Sequence, residues 1–355
     1  MIPREQYLQL PMEERFIKLN PEQDARAKEL HKNALVIDLH THILEDREGE
    51  TFEGNIPRIK RSQVNVFVEA VARIDEDFDA SMRLLGELSC RVEKHPDFMP
   101  AFCAQDFLDA KAQGKQAMMF QLEPQTFGRD PNRIEIAYGL GIRMALLTFN
   151  TRTFLGDGCG ERMDEGLSYF GCQVVERMND LGMLIDLSHC GAQTTLDAIR
   201  LSKVPVMCNH VGARALYPQL KRLKTDEALK LLADKGGIAG VSAIPNQLSR
   251  NAEQGIEDML NHIDHMVNLM GIDQVAIGLD NVFGDHVGFH RKAAQTIFKL
   301  SYIGQELNAP YLYGIESPEE WPNITRGLVA RGYSDEAIKK IIGGNALRVI
   351  KQVVG

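Results

Sequence analysis

The sequence predicts an α/β fold, a single-domain (β/α)8 barrel of the TIM type. Eight short apolar runs alternate with amphipathic segments whose apolar residues recur every three or four positions. Apolar strands that alternate with helices are typical of a parallel sheet covered on its outer face. The 355 residues suffice for one large barrel or two ordinary domains. One barrel is favoured because no repeat, low-complexity segment or linker divides the chain.

The predicted elements begin with an N-terminal helical arm, residues 1–33, which includes a helix over Pro21 to Lys32. Residues 34–355 form the predicted barrel and its C-terminal helices. Its eight predicted strands are Ala34–Asp38, Gln63–Glu69, Gln116–Leu122, Arg143–Thr148, Met183–Leu187, Pro205–Cys208, Gly237–Val241 and Gln274–Gly278. The clearest helices between them are Gly171–Leu181, Ala192–Leu201, Thr225–Ala233 and Ile256–Met270.

Two further segments carry structural expectations. Residues 150–166, rich in glycine and charge, are expected to form a mobile loop over a pocket, since they follow the fourth strand. The tail is predicted to be helical at Ile324–Ala330, Asp335–Ile342 and Ala346–Val353. Asn345 is expected to cap the last of these helices.

The composition and charge of the chain argue against some classes of binding partner. A net charge of −9 and an isoelectric point near 5.6 argue against a nucleic-acid-binding surface. The first thirty residues are too polar for a signal peptide, and no apolar run is long enough to cross a membrane. The six cysteines form no CxxC pair and are expected to be reduced, Cys190 and Cys208 as core residues rather than metal ligands. The sequence therefore predicts a cytoplasmic protein with no nucleic-acid or membrane partner.

The first predicted strand closes on two histidines, His40 and His42, separated by one residue. Side chains on a strand alternate between faces, so both imidazoles would point the same way and could chelate one ion. A pair of loop histidines just past a strand end is the ordinary alternative. The other strand ends decide between these interpretations.

Four further candidate ligands follow predicted strands. Glu123 ends the third strand, His189 the fifth, His210 the sixth and Asp280 the eighth. The carboxyl ends of barrel strands meet at one mouth, so these groups would converge there. Each alone could satisfy backbone groups or face solvent, but imidazoles and carboxylates together suit zinc or another divalent ion. Six such groups exceed one tetrahedral shell, which favours two ions sharing a bridging carboxylate, the equipment of a hydrolase.

These residues carry a family resemblance that spans Val36 to Val349. The sequence resembles the renal (membrane) dipeptidases, peptidase family M19, a branch of the amidohydrolase superfamily with a binuclear zinc barrel. The matching segments are Asp38-Leu39-His40, Glu123, Asp186-Leu187-Ser188-His189, the run from Pro205 to His210, Gly278-Leu279-Asp280 and Gly343-Gly344-Asn345-Ala346-Leu347-Arg348-Val349.

The resemblance implies a role for each candidate. His40 and His42 would bind one metal, Glu123 would bridge, and His189 and His210 would hold the other metal. Asp280 would bind the first metal and deprotonate the bridging water. Arg222 falls near the family's arginine that clamps the substrate carboxylate, with Lys221 as the alternative register and a solvated helix start as the ordinary interpretation of both. The resemblance also implies a homo-oligomer, as a dimer.

Two positions depart from the family pattern. The family places an aspartate where this chain has His42, so HxD becomes HxH and the site gains one unit of positive charge. The family also has a histidine after Leu-Thr on the fourth strand, where this chain has Phe149. Loss of that electrophile would remove a contact worth on the order of a few kcal/mol. Arg152, Arg143 or His286 could supply a substitute.

The sequence therefore predicts a metal-dependent dipeptidase that uses a metal-activated hydroxide, with two zinc or other divalent ions per chain. A first alternative keeps the site but takes another small molecule, a non-dipeptide amide, cyclic amide or lactone. A second alternative is a catalytically inactive metal-binding accessory protein.

Overall fold

A computed structural model describes residues 2–47, 49–71, 77–123, 127–296 and 306–355. Its strands are β1 (Ile37–Thr41), β2 (Val66–Val71), β3 (Phe98–Pro100), β4 (Gln116–Leu122), β5 (Ile142–Leu146), β6 (Leu184–Asp186), β7 (Met207–Val211), β8 (Ile238–Val241), β9 (Gln254–Gly255), β10 (Val275–Ile277) and β11 (Leu312–Tyr313). Eight of these pair in parallel in the order β1-β2-β4-β5-β6-β7-β8-β10 and form the nearly closed barrel. The predicted barrel fold is confirmed. β3 pairs with β4, and β9 with β11.

The helices cover the outside of this sheet. They are α1 (Arg4–Leu8), α2 (Met12–Arg15), α3 (Pro21–Asn33), α4 (Phe52–Arg61), α5 (Phe78–Lys94), α6 (Ala104–Ala112), α7 (Asn132–Gly139), α8 (Tyr169–Leu181), α9 (Ala192–Leu201), α10 (Asp226–Asp234), α11 (Ile256–Met270), α12 (His286–Thr296), α13 (Pro322–Ala330), α14 (Asp335–Lys339) and α15 (Asn345–Val353). Short 3₁₀ turns lie at Ile272–Gln274 and Pro318–Glu320, and a π-helical turn lies at Lys340–Gly344. The helices predicted over Ala192–Leu201 and Ile256–Met270 are confirmed to the residue.

The strands are buried on both faces, and alternate residues separate into two apolar clusters. Val66 and Val68 of β2 pack in one cluster with interior residues of the neighbouring strands, whereas Phe67 packs in the cluster that underlies the helices. Period-two alternation thus sends every second side chain into the barrel. Near the mouth, polar side chains occupy the interior positions, and these side chains form the candidate site.

Asp38 joins the first barrel strand to the last. Its Oδ1 accepts hydrogen bonds from the backbone N–H groups of Leu279 (2.9 Å) and His40 (3.3 Å). Its Oδ2 accepts from the indole Nε1 of Trp321 (3.0 Å). The N–H of Asp280 in turn donates to the carbonyl of His40 (3.0 Å). A fully buried carboxylate therefore holds β1 beside the end of β10.

The N-terminal arm is fastened to the segment that precedes α13. Tyr7 donates a hydrogen bond to Glu320 (2.8 Å), which also forms an ion pair with Arg15. Arg4 forms an ion pair with Glu316 and also donates to the carbonyl of Gly284, just before α12. The arm thereby fixes the chain that leads from β10 into α12.

Asn345 does not cap the last helix, which corrects the sequence expectation. It is the first residue of α15, and its amide donates to the carbonyls of Ile272 and Val275, each at 2.8 Å. The π-helical turn runs directly into α15, so no free helix terminus is left for a cap. Asn345 instead fastens the tail to the start of β10.

Replacement of Asp38 by alanine should destabilise the barrel. It would leave three buried donors without their acceptor, each costing about 1–3 kcal/mol. We expect the free energy of unfolding, measured in urea, to fall by about 3 kcal/mol or more. Asp180→Ala, on the exposed side of α8, is the matched control and should change it by less than about 0.5 kcal/mol. Equal midpoints for the two variants would contradict this role.

His262 should make stability depend on pH. This buried imidazole of α11 accepts from the N–H of Ala213 (2.9 Å) and donates to the carbonyl of Leu248 (2.9 Å). Burial lowers its pKa to about 4. Because the folded state binds this proton less readily than the unfolded state, the stabilisation is present above pH about 6.5 and is lost as pH falls toward 4.

The measurement is the difference in unfolding free energy between the wild type and His262→Gln at several pH values. We expect that difference to shrink by up to about 3 kcal/mol between pH 6.5 and 4, because the glutamine does not titrate. Parallel curves for the two proteins over this range would show that His262 does not contribute.

Candidate metal centre

The structure brings the six predicted ligands together at the carboxyl ends of the strands. They are His40 within β1, His42 just after β1, Glu123 just after β4, His189 after β6, His210 within β7 and Asp280 after β10. Three groups of three have ligand atoms within 4.8 Å of one another: His40, His42 and Glu123; His40, His210 and Asp280; and Glu123, His189 and His210. Glu123, His40 and His210 each belong to two of these groups, so the three groups form one continuous cluster.

Irregular strand pairing aims two of the histidines. The register of β1 against β2 shifts between Asp38 and Thr41, around His40. The register of β7 against β8 shifts between Cys208 and Val211, around His210. Such irregularities re-aim side chains, and the two rings stack with centroids 3.8 Å apart. The alternation of side chains along a regular strand therefore does not fully predict the direction of the His40 side chain.

The Asp280 carboxylate lies among three imidazoles. Its Oδ1 is 3.6 Å from His40 Nε2 and 3.7 Å from His42 Nε2, and its Oδ2 is 3.6 Å from His210 Nε2. Its backbone φ of 52° is in the left-handed region, which aspartate adopts more readily than most residues. Burial raises the pKa of this carboxyl to about 6. The Asp280 carboxyl, with its raised pKa, therefore lies at the centre of the cluster.

The facing rings of His189 and His210 are best explained by a cation. His189 Nδ1 lies 2.8 Å from Asn150 Oδ1, and His210 Nδ1 contacts Asn209 Oδ1. Because both Nδ1 atoms donate to amide oxygens, both Nε2 atoms carry lone pairs, yet these two atoms are only 3.0 Å apart. A divalent ion between them would remove the repulsion, and imidazole nitrogen is a ligand that zinc accepts.

The electrostatics of the other rings also fit metal binding. Burial lowers the pKa values of His42, His189 and His210, which keeps these imidazoles in the neutral form that binds metals. Burial also opposes charge on His40, but the neighbouring Glu123 and Asp280 outweigh it and raise its pKa to about 9. His40 Nε2 lies 3.3 Å from Glu123 Oε1 but has no well-formed hydrogen bond to any described residue. The donor set therefore fits a divalent cation.

A polar network beneath the cluster holds these ligands and was not predicted from the sequence. Asp186 accepts hydrogen bonds from Gln121 Nε2 (2.9 Å), Ser188 Oγ (2.6 Å) and the Asn209 N–H (2.9 Å). Asn209 also donates to the carbonyl of Leu39 (2.9 Å). Polar residues at interior strand positions are the sequence feature that could have indicated this network.

Part of the loop 150–166 packs tightly against the barrel, and the mobility expected of this segment stays a prediction. Residues 155–160 are buried, and a Cβ on Gly158 would lie 2.2 Å from the carbonyl oxygen of Phe149. Phe149 itself stacks on His189, with ring centroids 4.0 Å apart and an interplanar angle of 17°. Phe149 thus gives His189 an apolar neighbour, and Asn150, the first residue of the loop, gives it a hydrogen-bond partner.

Arg222 is buried directly behind the site. Its terminal nitrogens donate to the carbonyls of Ser188 (2.5 Å) and His210 (2.8 Å), while its Nε has no partner within the described part of the chain. Lys221, the alternative register, donates to the carbonyl of Glu161 (3.1 Å). Arg222 is therefore a buried cation beside the candidate ligands His189 and His210.

The three proposed substitutes for the missing histidine lie in different places. Arg152 pairs with Asp157 in the loop, and its side chain is 58% exposed. Arg143 lies at the start of β5, the end of the strand opposite the mouth, and donates to the carbonyl of Tyr138 (2.8 Å). His286 is buried at the first position of α12, and a charge on it would lower the pKa of His42.

The six cysteines are free thiols. Cys190 and Cys208 are core residues, as expected, and neither belongs to a candidate metal group of the described residues. Burial raises the pKa of Cys208 to about 12, so its thiol stays protonated and ligates metals poorly.

Comparison with known proteins assigns the family. The model of the membrane dipeptidase family, peptidase family M19, matches residues 24–296 and 303–354. The chain belongs to this family. The resemblance carried by the strand-end motifs is thereby confirmed.

The individual relatives have low sequence identity to this chain. Dipeptidase tcpJ of Claviceps purpurea (strain 20.1) is 27% identical over 282 residues, which are 78% of this chain and 59% of that protein. Dipeptidase 3 of Mus musculus is 28% identical over 222 residues, which are 61% of this chain and 40% of that protein. The chain thus spans well under two thirds of the length of these relatives.

Solved structures match the barrel more completely. An amidohydrolase from Pseudomonas aeruginosa is 30% identical, with a TM-score of 0.82 and coverage of 93% of this chain and 99% of that one. A metallo peptidase, dipeptidase AC, is 21% identical with a TM-score of 0.75, covering 91% and 99% of the two chains, and supports the fold alone.

Within the described residues, no helix combines the length and apolar character required to cross a membrane. The cytoplasmic location, the homo-oligomeric state and the absence of a nucleic-acid partner stay predictions.

Divalent ions should stabilise this protein through the six-residue cluster. We expect added zinc or manganese to raise the thermal midpoint of chelator-treated wild type, because only the folded cluster binds the ion tightly. His40→Ala should lose most of this rise. His265→Ala, on α11 outside the cluster, is the matched control and should keep it. Equal rises in both variants would place the metal elsewhere.

Proposed function

We propose that this chain is a metal-dependent dipeptidase that hydrolyses the amide bond of a dipeptide-like substrate. The observation that carries the proposal is the cluster of four histidines and two carboxylates at the barrel mouth, with a buried guanidinium behind it. Family membership supports the same reaction class.

The ligands divide into two sets that share Glu123. His40, His42 and Asp280 would hold one ion, His189 and His210 the other, and Glu123 would bridge. We propose zinc for both positions on the basis of the imidazole-rich donor set, with other divalent ions as alternatives. Two such ions, when bound, lower the pKa of a water molecule and polarise a carbonyl.

Asp280 is the proposed general base. A carboxylate at the centre of the cluster can accept a proton from the attacking water and pass it to the leaving amine. Its position is fixed from both sides, because its backbone N–H is bound to the His40 carbonyl and its side chain lies among three imidazoles. Burial prepares the carboxyl for this exchange by raising its pKa toward neutrality.

Arg222 is the proposed binding site for the free carboxylate of the substrate. Among the described residues, this buried guanidinium donates to backbone carbonyls and forms no direct ion pair, an arrangement that an anion bound beside it would stabilise. Its Nε–H remains available among the described residues. A dipeptide would thus be oriented with its C-terminal carboxylate toward Arg222 and its amide bond toward the metal ligands.

A second candidate function rests on Phe149. This ring covers one face of His189, where a polar group would otherwise contact the substrate carbonyl. An apolar wall there would change which substrates are accepted, and a non-dipeptide amide, a cyclic amide or a lactone is the alternative substrate class. Arg152, paired with Asp157, is not assigned a role in either reaction.

The test is a substrate panel with zinc-loaded protein. We expect hydrolysis of L,L- or L,D-dipeptides, with C-terminal amidation lowering kcat/KM by about 100-fold because Arg222 loses its partner. Asp280→Asn should lower kcat by about 1000-fold or more while the second ion remains bound. Arg222→Lys should reduce the preference for carboxylate over amide substrates, whereas Arg200→Lys, on the exposed face of α9, should not.

The alternatives give different results. Turnover of cyclic amides or lactones without turnover of dipeptides would favour the second candidate. Tight binding of two ions with no turnover of any compound would indicate the inactive accessory protein. Turnover that survives complete metal removal would contradict all three interpretations.

A further inference from the structure

Two histidines of α12 form an imidazole pair that the family motifs do not include. His286 and His290 are one helical turn apart, so both side chains lie on the same side of α12. Their Nε2 atoms are 3.2 Å apart, and the rings meet edge to face with centroids 4.5 Å apart. This arrangement suits one Nε2–H···Nε2 hydrogen bond between the rings.

The pair differs from the His189 and His210 pair in one decisive way. In the metal cluster both Nδ1 atoms contact amide oxygens, which forces two lone pairs to face each other. His286 Nδ1, by contrast, has no hydrogen-bond partner among the described residues although it is buried. One ring can therefore donate directly to the other, and no cation is required between them.

Contacts from other parts of the chain hold α12 in the region that follows Asp280. Its first residue follows Asp280 by only six positions. Asp285 accepts from the N–H of Gly288 (2.8 Å) at the start of the helix, and Arg47 from the segment after β1 lies over the ring of Phe289, 5.3 Å from its centroid. The chain before α12 is fastened by Arg4 through the carbonyl of Gly284. The His286 and His290 pair therefore lies on a helix whose position these contacts stabilise.

The pair lies within electrostatic reach of both halves of the cluster. Charge on His286 would lower the pKa of His42, and charge on His290 would lower that of His189. Burial comes first in lowering the pKa of His290 to about 4, and the positive charge of Arg222 acts in the same direction. The two rings are therefore electrostatically coupled to candidate ligands of both sets and to Arg222.

We propose that His286 donates its Nδ1–H to the carbonyl oxygen of the substrate as that oxygen becomes negative, and that His290 positions it. His290 donates Nε2–H to His286 Nε2, which places the His286 proton on Nδ1. A buried N–H without a partner is unfavourable, and the developing oxyanion satisfies it. This inference rests on the proposed hydrolase function and assigns a donor that the apolar Phe149 cannot provide.

The test compares His286→Leu with His286→Asn in the zinc-loaded enzyme, since an asparagine amide can present N–H near the position of Nδ1. We expect kcat/KM to fall about 100-fold for leucine and less than about 10-fold for asparagine. The affinity of a phosphinate dipeptide analogue, measured by calorimetry, should weaken in parallel with kcat/KM, because its tetrahedral group resembles the transition state. Metal content should stay that of the wild type.

His290 and a control variant complete the design. His290→Gln keeps a donor near Nε2 and should retain more activity than His290→Leu. Arg291→Ala, on the exposed side of α12, should leave kcat/KM, phosphinate affinity and thermal midpoint unchanged. Thermal midpoints of all the variants distinguish loss of the donor from loss of the fold.

Four results would overturn the inference. They are unchanged kcat/KM in His286→Leu, loss of bound metal in that variant, reduced kcat/KM without weaker phosphinate binding, and equal losses in the leucine and asparagine variants. A wild type that turns over a substrate independently of His286 refutes this inference alone. A wild type inactive on every substrate refutes the proposed function and this inference with it.

Discussion

The contact between β1 and the end of β10 is the constraint on which both the barrel and its mouth depend. Asp38 holds the N–H groups of His40 and Leu279, and the N–H of Asp280 is held by the His40 carbonyl. The same few bonds therefore close the barrel and set the distance between two proposed ligands. A change in the closure would move His40 relative to Asp280, so the fold and the site share one set of hydrogen bonds.

The interior near the mouth is polar, which is costly unless every group has a partner. Asp186, Gln121, Ser188 and Asn209 satisfy one another and orient His40 and His210 from below. The network ends at Nε2 atoms that either face each other or lack a well-formed bond. The pattern is complete on the protein side and open on the side where ions would bind, as a preorganised metal centre requires.

Much of this architecture follows from the sequence, because strand period and strand-end chemistry are local properties. The eight strands and the convergence of six ligand residues needed only apolar runs and the geometry of a parallel barrel. The register shifts around His40 and His210 depend on neighbouring strands and leave no local pattern. The close packing of residues 155–160 could not be predicted from the sequence either. Glycine is typical both of mobile loops and of positions where two backbone segments come into close contact.

His290 illustrates the same limit. Its spacing from His286 is visible in the sequence, yet an i, i+4 pair has meaning only when the helix is known to lie at the mouth. The position of α12 depends on Arg4, more than 270 residues earlier in the chain, which binds the carbonyl of Gly284. Long-range contacts of this kind decide which polar residues meet a substrate.

The imidazole of His42, which carries no negative charge, contributes to the electrostatic character of the candidate site. Four neutral imidazoles and two carboxylates, Glu123 and Asp280, contribute two negative charges, and two divalent ions would leave the centre with a net charge of about +2. Arg222 adds another positive charge behind it. The proposed substrate, which would present a carboxylate at one end and develop an oxyanion at the other, would be stabilised by this field at both ends. The field also favours an uncharged donor beside the reacting carbonyl, because a further cation there would be repelled. A neutral imidazole pair meets that requirement, whereas an arginine in the same place would not.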